Sequence, residues 1–457
     1  MARRSSRIVI IGAGPTGLGA AWRLQELGHG DWVLLERESG PGGLSASVRD
    51  AHGFTWDLGG HVLFSHYEYF DRLMGELLGS GWVEHQRSAW VWLRGRYVPY
   101  PLQHNLWRLS EADFHHCLEG LRQAQALVDE HPPADFGEWI LRHFGAGLAE
   151  LFMVPYNTKV WGVPPSRLGV QWMAERVAPI DLDRVLRNAR ERTDDASWGP
   201  NATFRFPLEG GTGAIWSALA ARLPASCVRP DAEVVVVDPG RRVVRLADGS
   251  EVPYDHLIST MPLDRLLRAS GDGTALGAKA DELIFSGAHV VGLGLPGQPP
   301  EHLRGKSWIY FPEPELPFYR VTVFSNYSPY NVPDPDRTWS LMCEVGAGRE
   351  TAFSPQAVVD GVLEGCRAAE LVPPGIEPVS RWHRHVPYAY PAPFVGRDEL
   401  LRPVHEALHS LGIRSRGRFG AWKYEVGNQD HSLMQGVEAV DHLLSGADEA
   451  TWEGRAG

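Results

Sequence analysis

Ile8-Val9-Ile10-Ile11 runs without a polar residue straight into Gly12-Ala13-Gly14-Pro15-Thr16-Gly17. An unbroken apolar run of this kind suits a parallel strand buried on both faces. Helical spacing follows through Ala20, Ala21, Leu24 and Leu27, and ends near Gly28. A second apolar run, Trp32-Val33-Leu34-Leu35, closes on Glu36, about 20 residues past the last glycine. Strand, glycine turn, helix, strand and acid, in that order, leave a chain little choice but a Rossmann-like α/β start. Gly12, Gly14 and Gly17 allow a tight turn, close approach of a pyrophosphate and close helix–strand packing. The helix N-terminus offers free N–H groups and the positive end of its dipole to phosphate. Glu36 stands where a carboxylate accepts ribose hydroxyls. The plainer reading is a strand–helix turn with incidental glycines, and the acid in register weighs against it.

Past Glu36 and Arg37 comes a second glycine turn, Gly40-Pro41-Gly42-Gly43. That pair of turns resembles flavoproteins of the glutathione-reductase type more than NAD dehydrogenases, so FAD is the expected dinucleotide. Further on, Glu233–Val237, Arg242–Leu246 and Glu251–Tyr254 read as a three-stranded meander. Asp238-Pro239-Gly240 and Asp248-Gly249 make its turns. Leu257-Ile258-Ser259-Thr260 returns as a strand, which makes the FAD-binding domain discontinuous. We expect it to comprise 1–84, 202–265 and 414–446.

Between these pieces lie two other kinds of sequence. Tyr69–Leu78, Glu111–Leu127 and Phe136–Phe144 carry apolar residues at helical spacing, and an inserted helical domain is expected over 104–201. Val91–Tyr97 alternates and reads as one strand. Aromatic and β-branched runs at His289–Leu293, Trp308–Phe311, Tyr319–Phe324 and Trp339–Val345 predict a mixed or antiparallel β-sheet substrate domain, assigned to 85–103 and 266–413. Gly210-Gly211-Thr212-Gly213 is a phosphate cradle or, more simply, the entry turn of a helix over Ala214–Leu223. Gly417 to Ser432 is dense in glycine and hydrogen-bonding side chains and leads into a helix expected over Leu433–Leu444. Residues 447–457 read as a small polar tail that frays.

Bulk properties narrow the function. A net charge of −12 disfavours nucleic acid as a partner. An anionic substrate would need a local arginine cluster working against that field. Cys117, Cys227, Cys343 and Cys366 lack metal-ligand spacing, and with no disulfide framework they point to a reducing compartment. Met1 to Ser6 is too short for a signal peptide, and no apolar run reaches transmembrane length. The expectation is a cytoplasmic protein with no metal. Arg320, near Tyr310, Tyr319 and Tyr327, combines fork donors with phenols as a diphosphate site does, although a single such arginine is more often a surface residue stacked on a ring. Tyr100 beside Gln103 suits a nucleobase, or is an ordinary loop.

Six stretches taken together carry a resemblance: GGHVLFSHY from Gly59, MVPYNTKVWGVP from Met153, AERV from Ala174, GPNATFRFP from Gly199, FYRVTVFSNYSPYN from Phe318 and RGRFGAWKYEVGNQDHS from Arg416. From about Ile8 to Leu444 the chain resembles UDP-galactopyranose mutases of the longer type found in fungi and protozoan parasites. The resemblance implies an isomerase that interconverts UDP-galactopyranose and UDP-galactofuranose, or a close hexose analogue, with no net redox change. It implies FAD in its reduced form, a covalent flavin N5–sugar bond, and NADPH or another reductant for activation. By position, Arg176 and Arg320 would hold the diphosphate, completed by Tyr310, Tyr327, Tyr390 and Tyr424. Tyr100, Gln103, Phe152 and Asn157 would take the uridine. Trp161, Asn201 and His66 would line the sugar. His61 and Gly60 would sit against the flavin, its backbone toward N5, and Arg418, Asn428 and Gln429 would contact the cofactor beside Gly43. Leu102 replaces an aromatic and Ala89 a serine beside Arg87, which implies weaker base stacking and puts direct activation by NADPH in doubt. The short stretch from Asn331 to Trp339, and the little chain after the last helix, imply a monomer or dimer rather than a tetramer. The competing class is an FAD-dependent oxidoreductase of the amine oxidase or protoporphyrinogen oxidase type, whose substrates need no paired arginines.

Overall fold

The computed structural model describes residues 6–126, 131–173, 177–196, 199, 202–271, 275–348 and 353–455. A five-stranded parallel sheet forms the first layer, in the order Ile413–Ser415, His256–Ser259, Ile8–Ile11, Trp32–Leu35, Val228–Arg229. Ile8–Ile11 lies at its centre and is buried throughout, as its composition requires. The helix Pro15–Glu26 packs along the helix Gln429–Ser445, so the first and last long helices of the chain share one core. The meander is present as Val234–Asp238, Val243–Leu246 and Glu251–Pro253.

A seven-stranded sheet forms the second layer. Its order is Ser380–Pro391, Phe285–Pro296, Thr338–Ala347, Phe318–Val323, Trp308–Tyr310, Ala89–Leu93, Arg96–Pro99. All neighbours are antiparallel except Trp308–Tyr310 with Ala89–Leu93. The alternating stretch read as a single strand over Val91–Tyr97 is instead a hairpin. Arg94 and Gly95 both take positive φ and fold it back. Gly signals such a turn; Arg at φ 50° does not, which is why composition missed it. The edge strand Ser380–Pro391 was also not anticipated, because His, Arg and Pro dilute its pattern.

Against one face of this sheet sit the helices Glu111–Ala126 and Phe136–Leu148, then a π-helical turn over Ala149–Met153 and the helix Val154–Trp161. A π turn inside a helical run is uncommon and concentrates at functional sites; this one carries Phe152.

Two further expectations need correction. The last long helix begins at Gln429, four residues before Leu433, with Asn428 as its N-cap residue. The tail also does not fray where the structure describes it. Glu449 is buried and bonded by both Arg416 Nε and Nη2, while Thr451 donates to Glu438 and to the Tyr67 hydroxyl. A buried arginine needs an anion, and the tail supplies it. The Gly210–Gly213 segment proves to be a helix-entry turn: Thr212 N–H and Oγ1 donate to the buried Asp57 carboxylate.

Candidate functional site

Where the two layers meet, the two glycine turns of the parallel layer close on each other. Gly42 N–H donates to Ala13 O at 2.8 Å, and Gly43 backs onto Gly14. Gly12 has φ +96°, and a Cβ at Gly17 would lie 1.8 Å from Gly12 O. No other residue type fits that turn, and it leaves backbone N–H groups at the start of the helix Pro15–Glu26. Glu36 closes over it, accepting from Ala13 N–H at 2.5 Å and Glu38 N–H at 2.8 Å. A concavity of about 680 Å³ opens beside this acid, flanked by Arg37, Arg229, Asp231 and Asp248. It shares no residue with the cavity at the arginine–tyrosine cluster. The glycine turns, helix start and acid together fit a dinucleotide such as FAD.

The loop from Gly59 to His66 passes from this layer to the big sheet. A Cβ at Gly60 would lie 3.0 Å from Arg320 Cζ, so the loop backbone rests on the guanidinium. Arg320 is held from behind by Glu344 on the adjacent strand, its cross-strand partner. Nη2 donates to Oε1 at 2.8 Å and Nε donates to Oε2, while Tyr319 OH reaches Oε1 at 3.4 Å. Burial would lower the arginine's pKa, and Glu344 with the nearby tyrosines more than offsets it, so the charge is secure. Glu344 was not read from the sequence; its role follows from strand register alone.

Tyr310 stands opposite Arg320 in the hairpin formed by Trp308–Tyr310 and Phe318–Val323. Between Gly60, Tyr310, Arg320 and Tyr327 lies a cavity of about 80 Å³. Trp308 Nε1, Thr322 Oγ1 and Tyr327 OH are buried at its wall and make no well-formed hydrogen bond. Buried polar atoms of this kind normally have partners, so the wall is chemically suited to a polar guest. Burial pushes the phenols of Tyr100, Tyr310, Tyr327 and Tyr390 up, so each is a neutral donor.

Around this centre the structure brings together most of the expected residues. Tyr100 meets Tyr310 edge-on at 5.2 Å. Phe152 stacks on Tyr156 at 5.4 Å, and Tyr156 meets Tyr310 in turn. Tyr156 was missed, although it lies within a motif already singled out. Gln103 is buried, with its Nε2 donating to Ala178 O at 2.9 Å and its Oε1 without a partner. Asn157 donates to Met153 O and accepts from Trp161 Nε1. Trp161 is only 2% exposed and packs edge-on against Trp172, Tyr390 and Tyr424, a wall rather than an open surface. Arg418 lies over both Tyr390 and Tyr424 at 5.1 and 5.2 Å and donates to Ala389 O and Gly427 O, which ties it to the tyrosines. Gln429 accepts from Trp216 Nε1 at 2.9 Å. Arg176 and Asn201 lie outside the described residues.

The two histidines differ. His61 Nδ1 is buried without a partner, and the His61 backbone N–H donates to Gly59 O. Burial pulls its pKa down to about 4, opposed by Glu344 and aided by Arg418 and Arg320, so the ring is neutral at pH 7. His66 is anchored: Nδ1 lies 2.7 Å from Asp430 Oδ2, which also accepts the His66 backbone N–H at 3.2 Å. His431 Nδ1 lies 3.1 Å from the other oxygen. Burial would raise the Asp430 pKa, but hydrogen bonds from His431 and His66 outweigh it and hold the carboxylate below its usual range. Ligand-type atoms of these three residues lie within 4.8 Å of one another, yet both rings address one carboxylate at hydrogen-bond distance, which describes an anchored loop better than a metal nest.

Comparison with known proteins places this geometry. The family model described as flavin containing amine oxidoreductase matches residues 15–443. A crystal structure of reduced UDP-galactopyranose mutase superposes with a TM-score of 0.95 at 49% identity, covering 98% of this chain and 96% of that one. Putrescine oxidase bound to putrescine shares the fold alone, at 17% identity, TM-score 0.66, and 96% and 99% coverage. A 70-residue stretch is 41% identical to 15-cis-phytoene desaturase of Glycine max, spanning 15% of this chain and 12% of that protein.

Proposed function

The chain belongs to the flavin containing amine oxidoreductases and, within them, to the UDP-galactopyranose mutases, and from that membership we propose that it interconverts UDP-galactopyranose and UDP-galactofuranose or a close hexose analogue. It is an isomerase and a flavoprotein whose FAD works in the reduced form. Bound and reduced, FAD supplies the electron-rich nitrogen that the anomeric carbon requires.

The protein's part is to hold what leaves. Ring isomerisation by displacement needs UDP to depart and then return, so the diphosphate must be gripped while detached. Arg320, braced by Glu344 and joined by Tyr310, Tyr327, Tyr390 and Tyr424, supplies fixed donors for that charge as it develops. Arg176 is the proposed second grip. Tyr100, Phe152, Gln103 and Asn157 take the nucleoside; the unpartnered Gln103 Oε1 can accept the imide N–H of a uracil. His66, fixed by Asp430, and Asn201 flank the sugar, with Trp161 behind them. Neutral His61 carries no charge to compete for the diphosphate or repel a cationic transition state.

The observation that carries this reading is the braced Arg320 facing a cavity whose wall holds three buried polar atoms without a well-formed hydrogen bond. An amine oxidase would place a cation against its own cationic substrate there. We also propose that the protein acts in the cytoplasm as a monomer or dimer; its cysteines are free, and no helix among the described residues is long and apolar enough to cross a membrane.

The test is turnover of UDP-galactofuranose by dithionite-reduced enzyme, with products separated by chromatography. UDP-galactopyranose should form without consumption of an oxidant, and oxidised enzyme should be inactive. Equal rates in both redox states, or stoichiometric oxygen uptake, would favour the oxidoreductase instead. Arg176→Ala and Arg320→Ala should each nearly abolish turnover while FAD stays bound.

A further inference from the structure

Helix Val154–Trp161 presents Asn157 and Trp161 to the site. Lys159 lies between them in sequence and, at about 100° per residue, points to the opposite side of the helix from Asn157. Its Nζ lies 2.9 Å from the backbone oxygens of Phe311, Glu313 and Leu316, and 2.7 Å from that of Phe318. Three N–H bonds therefore serve four carbonyls. Three of these oxygens belong to the turn that joins Tyr310 to the strand carrying Arg320, and the fourth to that strand's first residue; Tyr310 and Arg320 are paired across the hairpin. Backbone carbonyls out of water must be paired, and here one side chain reaches four of them.

The same helix abuts the strand that braces the arginine. A side chain at Gly346 would come within 2.3 Å of Lys159 O, two residues from Glu344. Helix, bracing strand and hairpin therefore meet around one residue. Burial pulls the Lys159 amine down to about 8, opposed by Glu313 and Glu315, so the ammonium persists near neutral pH while remaining in a largely dry cage.

We propose that Lys159 is a positioning residue for the mutase reaction: its caged ammonium sets the spacing between the helix that holds the nucleoside and the hairpin that holds the diphosphate. The inference rests on the mutase reading above. Lys159 does not touch substrate; it acts through Tyr310 and Arg320. A displacement near 1 Å of groups that must meet a reacting centre costs about 100-fold. An emptied cage of four carbonyl oxygens is also a site for a small monovalent cation, by the same logic that lets carbonyl rings replace an ion's water shell.

The experiment compares holo wild type, Lys159→Ala and Lys159→Met. FAD content, kcat and KM for UDP-galactofuranose, and UDP affinity of the oxidised holoenzyme are measured with and without added ammonium or methylammonium chloride. Both variants should keep FAD, lose about 10- to 100-fold in kcat/KM, and bind UDP more weakly. Ammonium or methylammonium, but not sodium at equal ionic strength, should restore much of the loss in Lys159→Ala. It should do little in Lys159→Met, whose thioether fills the cage. Wild-type kinetics in either variant overturns the proposal. So does a loss in Lys159→Ala that no cation restores, or one that merely tracks lost FAD. Should Lys159→Ala prove insoluble, Lys159→Met decides on kinetics and UDP affinity alone. If wild type converts no nucleotide-sugar, the mutase reading fails, while the UDP affinities still judge Lys159.

Discussion

Glu344→Gln isolates the brace behind the diphosphate grip with one heavy-atom change. Glu344 is 3% exposed and meets Arg320 through two parallel hydrogen bonds to Nε and Nη2. A glutamine keeps its carbonyl oxygen for one of these and turns an N–H₂ group toward the other, where it faces another donor. The loss is therefore about one charge-assisted hydrogen bond, roughly 1.5–3 kcal/mol. If that energy serves to hold the guanidinium where the diphosphate needs it, kcat/KM falls by about 10- to 150-fold at ~1.4 kcal/mol per decade. Part of the penalty also falls on the folded state, since an arginine left without its anion is costly. The assay is initial-rate turnover of UDP-galactofuranose by reduced enzyme at fixed FAD occupancy, with thermal unfolding followed in parallel. A variant within two-fold of wild-type kcat/KM at full FAD occupancy would refute the bracing role. A lowered melting temperature with unchanged kinetics would reduce Glu344 to a stabilising residue only.

Other outcomes follow from the same geometry. Gly60→Ala places a methyl group 3.0 Å from Arg320 Cζ and should cut kcat/KM at least several-fold while FAD still binds; a displaced guanidinium in a crystal structure of the variant would confirm the cause. His61 has a folded pKa of about 4 against an ordinary 6.5, so the unfolded chain takes up its proton first. The stability this neutral ring contributes is complete above about pH 6.5 and is lost as pH falls toward 4; urea titrations of His61→Phe should show a shallower slope than wild type in that window. Glu449→Ala removes the anion of the buried Arg416 and should lower stability by about 3 kcal/mol by denaturant unfolding, whereas a frayed tail would give no change.

The opening strand, glycine turn and helix were legible because their constraints are local: an apolar run, a glycine with positive φ and an acid in register. The meander and most central strands were legible for the same reason, through turn chemistry and β-branched runs. What escaped depends on residues far apart in sequence. No spacing pairs Glu344 with Arg320, since the bond exists only once two strands adopt their register. Asp430 and His66 lie 364 positions apart. The hairpin at Arg94–Gly95 was hidden by an arginine in a conformation its type rarely adopts, and the tail was judged polar without sight of the buried Arg416 it would neutralise. Within the site, tyrosines and Arg320 could be named from motifs, whereas Tyr156 and Lys159 needed the helix they share to be seen against the hairpin.

The pairing of the helix Pro15–Glu26 with the helix Gln429–Ser445 bears on how such a chain is made. During synthesis the opening helix leaves the ribosome long before the segment that covers its apolar side exists. The large sheet waits in the same way, because Ala89–Leu93 must find Trp308–Tyr310. Contacts of such long range close late and slowly, so the nascent protein holds exposed apolar surface for most of its translation and should depend on chaperones more heavily than a chain of equal length built from consecutive domains.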